Sequence, residues 1–189
     1  MGFLDTLLGR TKPVPPNLDE LFALPGAALT LEAGTDFKPT GSGSVCFRAA
    51  EGKAFSDIEK DVRELLNMGG STPVQVTTDA YRFTWLVCQH SAGDPEGLVT
   101  DLHAVNSSLQ NGGFGPQLLC TIMAFRDSGG RSLGLVYLYK RGTFYPFAPL
   151  AGKQRDNALE LQIRGAVGSD LKIEQDLGRW MPIWGAPGL

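Results

Sequence analysis

The chain has 189 residues, 42% of them hydrophobic and 20% charged, with a formal net charge of -3. This length suits one well-packed domain with a small appendage, and the apolar fraction excludes a disordered chain. The slight acidity excludes a bulk electrostatic pull towards nucleic acid.

Residues 1–10, MGFLDTLLGR, carry the pattern of a short amphipathic helix with Phe3, Leu4, Leu7 and Leu8 on one face. TKPVPP follows as a stiff, extended linker. Residues 1–16 therefore read as an appendage and 17–189 as a single domain. An apolar helix face outside a domain must dock on its core, on a partner or on a bilayer surface. Phe3, Leu4, Leu7 and Leu8 are the candidate membrane-contact residues.

Asn17 and Glu20 have capping-box spacing and start a short helix that Pro25 is expected to end. Strands are expected over 28–33 and 44–50, separated by the loop GSGS. Ser56 and Glu59 form a second capping box, and Ile58, Val62 and Leu65 repeat at helical spacing up to Gly69-Gly70. A hairpin follows: Val74 and Val76, a turn over 78–80, then Tyr81, Phe83, Trp85 and Val87 alternating with polar residues. One of its faces should be apolar and the other partly wet.

Asp94-Pro95 is an N-cap acid with proline at the first helical position. Leu98, Leu102, Val105 and Leu109 then stripe one side of a helix that Gly112-Gly113 closes. Residues 118–125 are apolar at almost every position and predict a central strand covered on both faces. DSGG turns the chain into a second apolar strand over 133–140. A final helix is expected over 155–167. The tail 179–189, with Trp180, Pro182, Trp184 and Pro187, predicts an extended segment pinned by its tryptophans. Strands in hairpin pairs divided by single helices predict an α+β domain, an antiparallel sheet with helices on one side.

The candidate binding segment is 135–150, LVYLYKRGTFYPFAPL. Lys140 and Arg141 end an apolar strand, and Phe144, Tyr145 and Phe147 follow the turn at Gly142. Aromatic residues and Arg are enriched at protein interfaces. From 131 to 164 there are six cations and two acids, a basic region on an acidic chain that suits an anionic partner. The expected contact residues are Lys140, Arg141, Phe144, Tyr145 and Phe147, aided by Arg155. At least one of the three aromatics should then be exposed. Alternatively the aromatics fill the core and the two cations cap its edge.

Chemistry is hard to find. Cys46, Cys88 and Cys120 are odd in number, far apart and without a CxxC, so they support neither a disulfide framework nor a zinc site. They read as buried, reduced thiols of a cytoplasmic protein. Cys88 and His90 would share one strand face as a thiolate–imidazole pair, the only hint of a thiol-dependent hydrolase. The other reading is a buried thiol beside a strand-end histidine. No HExxH or Walker A pattern occurs, and no metal or cofactor is expected. Tyr137 and Tyr139 beside Lys140 offer at most a weak stacking surface for bases. No stretch of about 18 apolar residues exists, and the apolar start is too short for a secretory signal.

The pieces MGFLDTLLGRTKPVPPNLDELF, SVCFRAAEG, GLVTDLHAVNSSL, GFGPQLLC, LGLVYLYKRGTFYPFAP, RDNALELQ and LGRW with PIWGAPGL span the chain. Together they resemble the PspA-associated PspAB family of bacterial envelope-stress (phage-shock) loci. The least matched stretch is 67–95. The resemblance implies association with PspA, a coiled-coil protein that coats and remodels stressed membranes, and a link to an HtpX-like membrane metalloprotease. It implies a cytoplasmic adaptor, peripheral at the inner face of the membrane, and transfers no catalytic residues. The order of elements, best in VTDLHAVNSSLQNGGFG, is also similar to the YbjN or type III secretion chaperone-like fold.

Overall fold

A computed structural model describes residues 16–48, 57, 60, 64 and 74–189. A 3-10 turn at Leu18–Ala23 runs into helix α1 (Leu24–Gly34), followed by β1 (Lys38–Arg48). Strands β2 (Gln75–Thr78) and β3 (Phe83–Gln89) form a hairpin before helix α2 (Pro95–Leu109). Strands β4 (Leu118–Arg126), β5 (Ser132–Leu138) and β6 (Thr143–Phe147) form a meander. A two-residue ribbon, β7 (Pro149–Leu150) with β8 (Gln154–Arg155), leads into helix α3 (Asn157–Val167). The main sheet has six strands in the order β2-β3-β1-β4-β5-β6, with every neighbouring pair antiparallel. The fold is α+β, as expected.

Helix α2 starts where Asp94 Oδ1 accepts a hydrogen bond from Gly97 N at 3.0 Å, satisfying one of the free donors of the first turn. Its stripe of Leu98, Leu102, Val105 and Leu109 is buried against the sheet. Helix α3 has the same kind of start, with Asp156 Oδ1 accepting from Leu159 N. It packs beside α1 and against β6.

Two expectations are corrected at the start of the chain. Residues 28–33 are helix, not strand, and Pro25 opens α1 instead of ending a helix. A proline in the first helical turn lacks only an N–H that would have had no partner, and Leu24, Ala27, Ala28 and Leu31 repeat at helical spacing on the buried side. The GSGS loop is part of β1. Gly43 lies directly under α2, where a Cβ would come within 2.8 Å of a Leu102 methyl. Glycine is therefore what lets α2 settle on the sheet.

The expected hairpin is present, but β3 is covered on both faces: Trp85 and Val87 are buried on one side, Leu86 and Cys88 on the other. The C-terminal tail packs on β6 at the far end of the sheet. Trp180 stacks on Tyr145 with ring centroids 6.0 Å apart, and Trp184 meets Phe147 edge-on at 5.1 Å. Tyr145 Oη donates to the carbonyl of Met181 at 2.8 Å. The tail is pinned by its two tryptophans, as its composition predicts. The amphipathic residues 1–10, the linker up to residue 15, and most of the helix expected near Ile58, Val62 and Leu65 lie outside the described residues; Asp57, Lys60 and Glu64 from that stretch are helical.

Candidate functional site

The turn between β5 and β6 places Lys140 and Arg141 at the surface. Gly142 has φ +64°, which favours glycine, and closes the turn. Both cations are exposed, as expected. Arg141 Nε donates to Glu174 Oε2 at 3.1 Å. Burial pushes the Glu174 carboxyl up, but hydrogen bonds from Asp176 N, Arg141 and the Thr143 hydroxyl outweigh it and hold its pKa below the ordinary value. Residues 172–174 run alongside β6: Phe144 N donates to Lys172 O, and Glu174 N donates to Phe144 O, each at 2.8 Å. Between this segment and the end of α3 opens a groove of about 520 Å³ lined by Arg141, Arg164, Lys172, Glu174 and Gln175. Arg164 reaches across it to Gln175 Oε1 at 2.9 Å. Among the described residues, Lys140, Arg164 and Lys172 pair with no carboxylate.

The aromatic half of the expected contact set is corrected. Phe144 and Phe147 have no exposed surface, and Tyr145 keeps 1%. Tyr145 and Phe147 lie under the tail's tryptophans, and Phe144 packs against Tyr137 with centroids 5.1 Å apart. None of the three is available at the surface.

Arg155 is also structural. Its Nε donates to Glu160 Oε1 at 3.0 Å, and a second guanidinium nitrogen donates to the carbonyl of Trp180. Glu160 also accepts from Ala148 N at 2.9 Å. This buried cluster ties α3, the end of β6 and the tail together. Tyr137 and Tyr139 are core residues too. Their hydroxyls donate to Asn17 O and Gln110 Oε1.

The thiol and the imidazole do not look poised for catalysis. Cys88 is buried, and its thiol is pushed up to about 12, first by burial and then by the charge of Asp101. A nucleophilic cysteine needs the opposite shift. Both ring nitrogens of His90 are already engaged, Nδ1 with Asp94 Oδ2 at 2.9 Å and Nε2 with Asp101 Oδ2 at 2.8 Å. Burial alone would lower the His90 pKa, but these two carboxylates outweigh it and raise it. Among the described residues, no group of three or more His, Cys, Asp or Glu is arranged to hold a metal ion, and no helix is long and apolar enough to cross a membrane.

A second cavity, of about 420 Å³, opens between the sheet and the tail. Its floor is Cys46, Cys120, Trp85 and Tyr145, and Met181, Ile183 and Trp184 form one wall. Cys46 and Cys120 face each other across β1 and β4. The groove beside Glu174 and this cavity were both missed in the sequence. The alternation Leu171, Ile173 buried against Lys172 exposed is a strand signal that could have revealed the first. The second depends on where the tail folds back, which no local pattern records.

The family model described as PspA associated protein B covers residues 1–188, essentially the whole chain. No curated protein matches the chain. No solved structure matches it.

Proposed function

We propose, because the chain belongs to the PspA associated protein B family, that the protein is a non-catalytic adaptor that docks on PspA. The observation that carries this reading is a set of cations without carboxylate partners among the described residues, Lys140, Arg164 and Lys172, at and beside one open groove of an acidic protein. Charges left unpaired on a surface steer an oppositely charged partner and fix its register. The expected contact set is thereby revised. Lys140 and Arg141 remain in it, Arg164 and Lys172 join it, and Phe144, Tyr145, Phe147 and Arg155 leave it.

The adaptor works in the membrane-stress response, at the inner face of the cell membrane. The family's name supports PspA as the partner. An HtpX-like protease is the second candidate for the same groove. Phe3, Leu4, Leu7 and Leu8 would give the adaptor a weak, reversible hold on the bilayer, since one short amphipathic helix binds only marginally. The thiol-hydrolase reading has little support: the Cys88 thiol is inert where it lies and His90 has no free nitrogen to act as a base. The test is capture of PspA by the full chain, compared with a variant carrying Lys140→Glu and Lys172→Glu. Equal capture by both removes the groove from the account.

A further inference from the structure

The cavity beneath the tail has a mostly apolar lining and lies apart from the docking groove. Its polar groups are already consumed. Tyr145 Oη donates to Met181 O. The indole N–H of Trp85 donates to Asp79 Oδ2 at 3.0 Å, and Asp79 Oδ1 accepts from Tyr81 N and Phe83 N at 2.8 and 2.9 Å. Cys46 and Cys120 are buried side by side, as register partners on β1 and β4. The floor thus offers a guest almost nothing to hydrogen-bond, so a polar guest would lose its water without compensation. An apolar guest loses nothing and gains burial.

The mouth is different. Tyr81 lines the cavity and is half exposed, and Lys153 Nζ is hydrogen-bonded to its hydroxyl at 2.9 Å, 5.3 Å from the ring centroid. The tight turn between β7 and β8 holds Lys153 there, with the residue at φ +56°. Lys153 has no carboxylate partner among the described residues. Asp79, the one carboxylate among the described residues that line the cavity, is held by the three donors named above. A largely apolar interior with the Lys153 cation held at Tyr81 is complementary to a single-chain amphiphile with an anionic head. The volume lies within the range of small-ligand pockets, about 300–1,000 Å³.

We propose that this cavity binds the acyl chain of an anionic single-chain lipid, such as a fatty acid, with Lys153 at its carboxylate. The proposal does not depend on PspA docking, because Lys153 and the tail take no part in the groove beside Glu174. The guest would lie against Trp85 and Trp184, so a bromine-tipped chain should quench tryptophan fluorescence.

The experiment titrates the full-length protein with ω-bromododecanoate and, separately, with ω-bromododecanol. Saturable quenching by the acid is expected, with the uncharged alcohol bound about fivefold more weakly, as loss of one exposed charge pair predicts. Lys153→Glu should abolish the preference for the acid. Met181→Glu, which changes an exposed residue of the wall, should weaken both ligands. Absence of saturable quenching, as when the protein's own apolar residues fill the cavity, overturns the proposal. So does equal affinity for acid and alcohol in the unmodified protein, or quenching that neither variant alters. The acid-against-alcohol comparison needs no variant and stands even if one fails to fold.

Discussion

Arg141 and Glu174 form an ion pair at 3.1 Å that is half in water and half in the core: the arginine side chain keeps 48% of its exposure and the glutamate 4%. The same carboxylate takes the Thr143 hydroxyl and Asp176 N. Arg141 therefore anchors the 172–174 segment to β6 as well as bordering the docking groove. Its neighbour Lys140 has no such tie among the described residues.

The two cations should consequently respond differently to charge reversal. Arg141→Glu sets a carboxylate against the buried Glu174, and breaking such a pair from one side costs about 3 kcal/mol or more. Lys140→Glu should change stability by about 0.5 kcal/mol or less. Urea unfolding of the two single variants measures both. Equal, small losses would mean that Glu174 does not need its partner.

Arg155→Ala should loosen the tail. The substitution leaves Glu160 buried beside Ala148 with its charge unpaired and removes the donor to the Trp180 carbonyl. A loss of about 3 kcal/mol is expected, with a red shift in tryptophan emission as Trp180 and Trp184 gain water. A variant with unchanged stability and emission would return Arg155 to the surface residues available for a partner.

The three thiols should resist alkylation in the native state. Cys46, Cys88 and Cys120 are all buried; the adjacent Cys120 thiol and then burial hold Cys46 protonated at pH 8, and burial does so for Cys88. Iodoacetamide should label them only as fast as the protein unfolds. Replacing Cys88 and His90 together by alanine should leave stress function intact in any variant that still folds. Rapid native labelling of Cys88, or loss of function in a folded double variant, would revive the enzyme reading.

His90 makes stability depend on pH. Its pKa is raised in the folded protein by Asp101 and Asp94 despite its burial, so it binds a proton more tightly folded than unfolded. Its contribution is then complete below the unfolded pKa of about 6.5 and is lost as pH rises through the higher folded value. The melting temperature should fall over that window, and His90→Gln should flatten the fall. Asp94 acts in the opposite direction: the His90 hydrogen bond holds its pKa low, so its contribution is lost only as the pH falls through that lowered value. A melting temperature independent of pH above 6.5 would mean that the histidine is neutral between its two carboxylates.

Much of the fold was readable because its signals are local. The Asp94 cap, the Leu98–Leu102–Val105–Leu109 stripe and the almost wholly apolar run of β4 each name their element within a short window. Pro25 misled because a proline marks both the end of one helix and the start of another, and only the spacing of Leu24, Ala27, Ala28 and Leu31 tells them apart. The binding segment was half readable. Lys140 and Arg141 are exposed because a turn holds them, and the turn is local. Phe144, Tyr145 and Phe147 are buried by partners far along the chain, Trp180 and Trp184 among them. Glu174, the partner of Arg141, is 33 residues away and left no trace beside it in sequence.

Direct titration of purified PspA against the full chain, at several salt concentrations, tests the docking claim most plainly. The unmodified protein should bind with an affinity that falls as salt rises, because exposed charges are screened over about 10 Å at 0.1 M ionic strength. The variant carrying Lys140→Glu and Lys172→Glu, which keeps the Arg141–Glu174 pair, should bind at least about tenfold more weakly and with less salt sensitivity. A folded double variant that binds PspA as tightly as the unmodified chain, with the same salt dependence, would contradict the account.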